Sequence, residues 1–442
     1  MLTMKVKKLQ FIILLLLTKF SFLTSAQTFH YGVNLAGAEF GSTMPGVFNT
    51  DYTYPNNDEL DYYNSKGLKL IRLPFSWERI QPTLGDNLAV NELNRLKTFV
   101  QEVTTRNMYV LLDLHNSGRY IINGNEEIIG SSNLSIADVR DVWTKLANEF
   151  KNETNIWGYG IMNEPHDMLP STSWFSIAQE IINGIRTVDI ETTIVVGGDS
   201  WSSAERWIEA SDNLKNLVDS SDKIIYEAHV YFDIDASGQY LNTYDEDQIT
   251  PNTGIDRVQP FVDWLQNNNF RGFIGEYGIP DNDTRWLTTL DNFLNHLKDN
   301  CINGAYWAGG PWWGTDFMAI DPVDNTGESD PVNGTERPQM SIVENYTLAN
   351  STCSNVLATT DFSGDGDILF YPNPSSNQIT IRYSNSNFSI KIINSLGQEM
   401  AEFSDINTSK IIDLQKYKSG IYFVQVKNDK NQNIKNFKMI KK

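Results

Sequence analysis

Short apolar segments alternate with amphipathic helical stretches from Gln27 to Trp307, and few folds are compatible with this alternation. It is typical of a parallel sheet whose strands are joined by helices. Between the segments, Val90–Arg106 and Ala137–Lys151 carry apolar residues three and four positions apart, as amphipathic helices do. The predicted strands are His30–Leu35, Leu68–Leu73, Met108–Leu114, Ile156–Met162, Thr193–Val196, Ile224–Ala228, Gly272–Gly275 and Gly304–Trp307. This pattern predicts an α/β fold, a (β/α)8 TIM barrel.

Nearly every predicted strand ends in a polar or aromatic residue. The carboxyl ends of all barrel strands meet at one face, where barrel enzymes build their active sites. The residues at or just beyond these ends include Asn34, Arg72, His115, Asn163, Glu164, Trp201, His229, Tyr231, Glu276 and Trp307. For Asn34 and Trp201, a capping or loop role is the alternative interpretation. The set predicts a catalytic or binding cleft at this face.

Two of these residues are glutamates in similar positions. Glu164 follows the apolar run Ile156–Met162 and precedes the helix-breaking Pro165, and Glu276 follows Gly272–Gly275. Glycoside hydrolysis needs two facing carboxyl groups, one to protonate the leaving oxygen and one to attack the sugar carbon. A rim residue or an ion-pair partner is the alternative for either glutamate. The aromatic content of 12% suits stacking on sugar rings.

The strand-end motifs, taken together, resemble the family 5 glycoside hydrolases, which are retaining enzymes on a (β/α)8 barrel. The resemblance covers about Phe29 to Ala349. Its motifs are Gly32–Gly37, Ile71–Pro74, Leu112–Asn116, Ile161–His166, Glu227–Tyr231, Gly275–Gly278 and Tyr306 with Trp307. Within the family, Asp233–Gly238 and Asn163–Asp167 are similar to the endo-β-1,4-glucanase (cellulase) branch.

The resemblance implies a role for each residue of the cleft. Glu164 is implied as the general acid/base and Glu276 as the nucleophile, so we expect Glu276 to be ionised and Glu164 protonated. Arg72 and Tyr231 would hold the Glu276 carboxylate. The other implied substrate contacts are Asn163 at the sugar 2-hydroxyl, His115 and His229 at hydroxyls and carboxylates, and Trp307 as the sugar platform, followed by a non-proline cis peptide.

No cofactor and no metal are expected. The chain contains only 5 His, with no close His-x-His pair and no cysteine beside them, which does not fit a typical zinc site. The cysteines, Cys301 and Cys353, are compatible with one disulfide in an oxidising compartment, with free buried thiols as the alternative. Barrel topology would place both at the bottom of adjacent helices, so we predict that they are bonded.

The N-terminus has the layout of a secretory signal peptide. Basic Lys5, Lys7 and Lys8 precede an apolar run, Phe11–Leu17, and a cleavage-like end at Ala26. We therefore predict a signal peptide over residues 1–26 and a secreted or cell-surface protein. The run is too short to be a convincing membrane span, and no later segment offers one.

The last part of the chain differs in pattern and charge. Residues 368–442 hold 11 Lys and Arg against 5 Asp and Glu, whereas the whole chain has a formal charge of −20. Short alternating strands there predict a small β-sandwich. The predicted strands are Gln378–Tyr383, Phe388–Ile393, Gly420–Val426 and Ile434–Ile440. Residues 354–367 are predicted to be a linker, which leaves residues 27–353 for the barrel domain.

Three motifs of the sandwich, Tyr371–Pro374, Asn394–Gln398 and Ser419–Phe423, resemble the C-terminal sorting domain of the type IX secretion system of Bacteroidetes. The resemblance implies the type IX secretion machinery as a partner. A carbohydrate-binding module is the alternative, but residues 368–442 contain no Trp to offer as a sugar platform.

The sequence therefore predicts an exported, monomeric, retaining endo-β-1,4-glucanase acting on cellulose or related β-glucans by double displacement. The same mechanism on mannan, xyloglucan or mixed-linkage glucan is the first alternative. A non-catalytic glycan-binding barrel is the second. The acidic main domain disfavours nucleic acid and anionic membranes and is compatible with a neutral polysaccharide substrate.

Overall fold

A computed structural model describes residues 31–347 and, further along, 368–371, 375, 377–383, 387–394, 398–407, 409–428 and 434–441. The chain divides into two compact units, residues 1–354 and 355–442. The predicted signal peptide and linker lie outside the described residues, so the domain boundaries stay predictions.

The first unit is built on a closed barrel of eight parallel strands. These are β1 (Gly32–Leu35), β2 (Leu70–Phe75), β3 (Tyr109–Leu114), β6 (Ile156–Gly160), β7 (Ile194–Gly197), β8 (Ile224–His229), β9 (Gly272–Tyr277) and β10 (Asn303–Gly309). Their order around the barrel follows the chain, and β10 closes onto β1, with Gly32 opposite Ala305. The predicted TIM barrel is confirmed. A hairpin of β4 (Arg119–Ile122) and β5 (Asn125–Ile128), which the sequence analysis missed, follows β3.

Helices surround the barrel. They are α1 (Asn57–Ser65), α2 (Trp77–Ile80), α3 (Val90–Thr105), α4 (Ile136–Phe150), α5 (Trp174–Ile185), α6 (Trp207–Ser211), α7 (Thr253–Asn268), α8 (Arg285–Asp299) and α9 (Met340–Thr347), with a 3-10 turn at Asp212–Asn216. A capping box starts α1, because Asn56 Oδ1 accepts from Glu59 N and the Glu59 carboxylate accepts from Asn56 N at 2.7 Å. Cys301, just beyond α8, is disulfide-bonded. Its predicted partner, Cys353, lies outside the described residues.

The barrel interior places the polar residues of the site in a layer above an apolar plug. The plug is a buried cluster of Leu70, Leu111, Trp157, Val195, Ile225, Phe273 and Ala305. Side chains alternate along a strand, so the residue two positions after a plug residue also points inward. On four strands that next residue is Arg72, Asp113, Glu227 or Trp307. The charged layer therefore lies directly above the plug, toward the carboxyl ends of the strands.

The second unit contains two antiparallel sheets, as the predicted β-sandwich requires. Strands β11 (Ile368–Tyr371), β12 (Gln378–Tyr383) and β15 (Ser409–Asp413) form one sheet. Strands β13 (Phe388–Asn394), β14 (Glu399–Ile406), β16 (Gly420–Asn428) and β17 (Ile434–Lys441) form the other. Buried Ile381, Ile390 and Val424 belong to their common core. The four strands predicted from sequence are present, and β11, β14 and β15 were not predicted.

Candidate active site

Glu164 and Glu276 face each other at the carboxyl ends of the barrel strands. Glu276 lies in β9 and is 4% exposed, and Glu164 follows β6 with a left-handed φ of 42°. Non-glycine residues rarely adopt this conformation, which is concentrated at functional sites. A carboxylate oxygen of Glu164 lies within 4.8 Å of one of Glu276. Retaining glycosidases hold their carboxyl groups about 5 Å apart, whereas inverting enzymes separate them by more than about 6.5 Å.

Arg72 is the centre of the charged layer and is fully buried. Its guanidinium forms ion pairs with three carboxylates, at 3.1 Å to Glu276, 2.9 Å to Glu227 and 3.1 Å to Asp113. Burial alone would lower the pKa of Arg72, but these carboxylates raise it above its usual value. Arg72 therefore remains a cation and fixes the carboxylates around it.

Asn34 lies beneath the cleft. Its side chain is fully buried, its Nδ2 donates to the Gly275 carbonyl at 2.8 Å, and its Oδ1 accepts from Arg72 at 2.9 Å. These bonds place Asn34 as a support of Arg72 and of the strand that carries Glu276. Its predicted contact with substrate stays a prediction, and a fully buried side chain does not favour it.

Two donors hold the Glu276 carboxylate. Arg72 donates to Oε1 at 3.1 Å and the Tyr231 hydroxyl donates to Oε2 at 2.8 Å. Burial raises the pKa of Glu276; the charge of His229 opposes the rise and the charge of Glu164 adds to it, leaving this pKa above its usual value. Glu276 thus depends on its donors to stay ionised.

His229 controls the charge of Glu164. Its Nδ1 lies 2.7 Å from Oε1 of Glu164 and 3.5 Å from Oε2 of Glu276. Burial raises the pKa of Glu164, but the hydrogen bond and charge of His229 outweigh burial and hold this pKa below its usual value. Burial would lower the pKa of His229, yet Glu276, Glu164 and Glu227 raise it to about 10. These opposite shifts favour a proton on His229 over one on Glu164, whereas the sequence analysis expected a protonated Glu164.

Asn163, His115 and Trp307 form the wall next to this pair. Asn163 Oδ1 accepts from Arg72 at 2.7 Å, and its Nδ2 lies 3.2 Å from His115 Nε2. The His115 ring stacks on Trp307 with centroids 5.6 Å apart and planes 13° apart. The peptide between Trp307 and Ala308 is cis, as expected. This wall offers an aromatic face and an amide to a sugar ring.

Trp201 lies on the other side of Glu164. The two residues line one cavity of about 480 Å³ together with Arg206, Tyr231 and other side chains. Trp201 is 41% exposed and stacks on His166 with centroids 4.3 Å apart and planes 12° apart. The segment 200–202 has three successive left-handed φ values, 57°, 58° and 52°, each of which costs about 1–2 kcal/mol. A strained segment thus presents the Trp201 ring to the cavity beside Glu164.

Sequence reasoning missed three contributors to the site. Asp113 and Glu227 bind Arg72, and His166 supports Trp201. The first two carried a signal, since each stands two residues before a predicted site histidine on an inward-facing strand position. The stacking of His166 on Trp201 depends on loop conformation and left no comparable pattern in the sequence.

Glu164, His229 and Glu276 also offer three ligand atoms within 4.8 Å of one another, a spacing that could hold a metal ion. Both nitrogens of His229 face carboxylates, at 2.7 Å and 3.4 Å, and the neighbouring carboxylates raise the pKa of His229 to about 10. The chemistry of this set is therefore that of a carboxylate–imidazolium–carboxylate array, and we assign it to proton transfer.

Comparison with known proteins fits this geometry. The model of the cellulase family (glycosyl hydrolase family 5) matches residues 30–312, which carry both glutamates. The chain belongs to glycosyl hydrolase family 5. Residues 369–442 match the model of the secretion system C-terminal sorting domain.

Several endoglucanases are similar to this chain. Endo-beta-1,4-glucanase B of Aspergillus niger is 35% identical over 67% of this chain and 86% of its own length. The Pseudomonas stutzeri endoglucanase Cel5A in complex with cellobiose is 40% identical, with a TM-score of 0.67 over 73% of this chain and 93% of that one. An endo-beta-1,4-glucanase from Xanthomonas axonopodis pv. citri is 32% identical, with a TM-score of 0.65 over 72% of this chain and 98% of that one.

Within the described residues, no helix has the length and apolar character needed to cross a membrane.

Proposed function

We propose that the barrel is a retaining endo-β-1,4-glucanase that hydrolyses cellulose or related β-glucans. The observation that carries the proposal is the pair of carboxylates within 4.8 Å, held by Arg72, Tyr231 and His229. Family membership supports a retaining mechanism. The relatives named endo-beta-1,4-glucanases, and the cellobiose bound to one structural neighbour, support a β-1,4-glucan as substrate.

The proposal gives the two glutamates complementary roles. Glu276 attacks the anomeric carbon while Glu164 protonates the departing glycosidic oxygen, which gives a covalent glycosyl-enzyme. Water then attacks the same carbon, Glu164 takes its proton, and Glu276 is released with the sugar configuration retained. Arg72 and Tyr231 orient Glu276 for attack, and both stabilise its charge when it leaves the sugar.

The two aromatic surfaces divide the substrate at the scissile bond. In this proposal Trp307, stacked with His115, takes the sugar that becomes bonded to Glu276. Trp201, stacked on His166, shares a cavity with Glu164 and takes the leaving-group sugar, because the acid must lie next to the oxygen that it protonates.

The sorting domain indicates export, and we propose that the type IX secretion machinery recognises residues 368–442. We also propose that the enzyme works as a monomer, because Arg72, Tyr231 and His229, which hold the two glutamates, belong to the same barrel as the glutamates.

The anomeric form of the first product tests the mechanism. The wild type should release the β-anomer from a soluble β-1,4-glucan, followed by proton NMR before mutarotation. Glu164→Gln and Glu276→Gln should each lose at least about 100-fold in kcat, whereas Glu149→Gln, on the surface of α4, should not. An inverted product, or near-normal turnover by Glu276→Gln, would contradict the assignment. Parallel assays on mannan, xyloglucan and mixed-linkage glucan define the substrate.

A further inference from the structure

A second pair of carboxylates lies beneath the catalytic pair. Glu227 and Asp113 are almost fully buried, and each stands two residues before a histidine, His229 at the end of β8 or His115 just beyond β3. Both form ion pairs with Arg72, at 2.9 Å and 3.1 Å. Glu227 Oε1 lies 3.4 Å from Nε2 of His229, and Asp113 Oδ2 lies 2.8 Å from Nδ1 of His115. Two carboxylate–histidine dyads therefore share one guanidinium.

The neighbouring strand leaves room for the Glu227 carboxylate. A Cβ atom on Gly275 would lie 1.8 Å from Glu227 Oε1, well inside any allowed contact. The backbone of β9 therefore passes close to the Glu227 side chain of β8 at Gly275, the residue before the nucleophile. The position of Glu276 along β9 and the position of Glu227 are thus coupled.

The surroundings of His229 fix its protonation state. Its Nδ1 faces Glu164, which follows β6, at 2.7 Å, and Glu276 of β9 at 3.5 Å. Its Nε2 faces Glu227 of its own strand at 3.4 Å. Arg72 of β2, bound to Glu227, is the nearby cation. Ionised carboxylates only accept hydrogen bonds, so when these neighbours are ionised both ring nitrogens act as N–H donors, which is the imidazolium form.

We propose that Glu227 is a positioning residue for acid catalysis: it keeps His229 doubly protonated, and the proton that Glu164 delivers to the leaving oxygen comes from Nδ1 of His229. The proposal rests on the roles assigned above to Glu164 and Glu276. Asp113, the matched carboxylate of the other dyad, binds His115 and not His229, the histidine whose Nδ1 meets Glu164.

Protons and charges are both conserved in this step. The Nδ1 proton of His229 moves to Oε1 of Glu164, and the carboxylic acid then protonates the glycosidic oxygen as its bond to the anomeric carbon breaks. Glu276 becomes a neutral ester in the same half-reaction, so the site loses one negative charge as it loses one proton. In the second half-reaction Glu164 takes a proton from water and returns it to Nδ1.

The test compares Glu227→Gln with Asp113→Asn, since each removes one carboxylate from Arg72. The readout is kcat/KM on two cellobiosides. One has a poor leaving group, which must be protonated to depart, and the other has an acidic phenol, which departs without protonation. Glu227→Gln should lose at least about tenfold more on the first substrate than on the second. Asp113→Asn should lose equally on both.

The pH profile gives a second readout. Glu227 raises the pKa of His229, so its removal lowers that pKa, and activity on the poor leaving group is lost at lower pH. In Glu227→Gln, the alkaline limb of the kcat/KM profile should shift to lower pH by about 1 to 3 units. It should move less in Asp113→Asn, and Glu227→Asp should partly restore it.

Several results would overturn the proposal. If Glu227→Gln lost equal kcat/KM on both substrates, or if the alkaline limb of the pH profile shifted equally in the two variants, Glu227 would only support Arg72. Nitrogen-15 NMR of histidine-labelled wild type, which has 5 His, measures the protonation of His229 without relying on the folding of a variant. A neutral His229 ring at pH 7 would exclude the mechanism. Failure of the proposed function would instead show as an active Glu164→Gln or an inverted product.

Discussion

At the scale of single residues, the site depends on how Arg72 distributes its donors. Its guanidinium reaches Glu276, Asn34, Asn163, Glu227 and Asp113 from one buried position. A lysine carries one compact charge without the planar fork and cannot orient so many partners at once. Because the nucleophile is one of these partners, the cation that neutralises the layer also sets the attack geometry.

Trp201 should contribute to substrate binding more than to the chemical step, because its exposed ring lines the cavity beside Glu164 and carries no acidic or basic group. Trp201→Ala should raise KM for cellooligosaccharides by about fivefold with kcat little changed, since an aromatic stack is worth about 1 kcal/mol. His166→Ala removes the ring behind it and should give a smaller rise. Steady-state kinetics on cellotetraose and cellohexaose measure both. A fall in kcat at constant KM would place Trp201 in the chemistry instead.

At the scale of secondary-structure elements, Asp321 joins α1 to the end of β10. Its Oδ1 accepts from the Tyr63 hydroxyl of α1 at 2.6 Å, and its Oδ2 accepts from Gly310 N, just beyond β10, at 2.8 Å. Burial raises the pKa of Asp321 to about 7, although these donors oppose the rise. This buried acid supports the strand end that carries Trp307.

The raised pKa of Asp321 predicts a pH dependence of stability. Between its unfolded pKa, near 4, and about 7, the folded state binds the extra proton, so the free energy of unfolding falls as pH rises through this window. Asp321→Asn should flatten that part of the curve and make the Tm less dependent on pH between about 4 and 7. Thermal unfolding across this range measures it, with Asp263→Asn on the exposed face of α7 as the control. An unchanged slope in Asp321→Asn would refute the assignment.

The barrel elements could be predicted from sequence because their strands are short, apolar and regularly separated by amphipathic helices. The β4–β5 hairpin was not predicted, because a strand such as Asn125–Ile128 is polar and exposed and lacks the apolar pattern of buried strands. In the sandwich, β14 is likewise mostly exposed along Glu399–Ile406. The catalytic glutamates were predictable from their positions at strand ends. The place of the proton was not, because it depends on distances between His229 and carboxylates on other strands.

At the scale of the whole molecule, charge and contacts divide between the two units. Residues 368–442 are rich in Lys and Arg, while the barrel carries the acidic excess that produces the formal charge of −20. Both glutamates, Arg72 and both aromatic surfaces belong to the unit of residues 1–354. Catalysis and export are therefore assigned to different parts of the chain.

This division predicts that the C-terminal unit can be removed without loss of catalysis. A chain that ends at Ser354, and so keeps Cys353, should show kcat and KM on a soluble β-1,4-glucan within about twofold of the full chain, because Arg72, Tyr231 and His229, which hold the two glutamates, all belong to residues 1–354. In a host with a type IX system, the shortened chain should accumulate inside the cell and the full chain outside. The same two measurements on a chain with Glu164→Gln provide the matched control, since it should be exported normally and remain inactive. A shortened chain that loses activity while keeping the circular dichroism of the barrel would mean that the second unit takes part in substrate binding, and normal export without residues 355–442 would remove the sorting role.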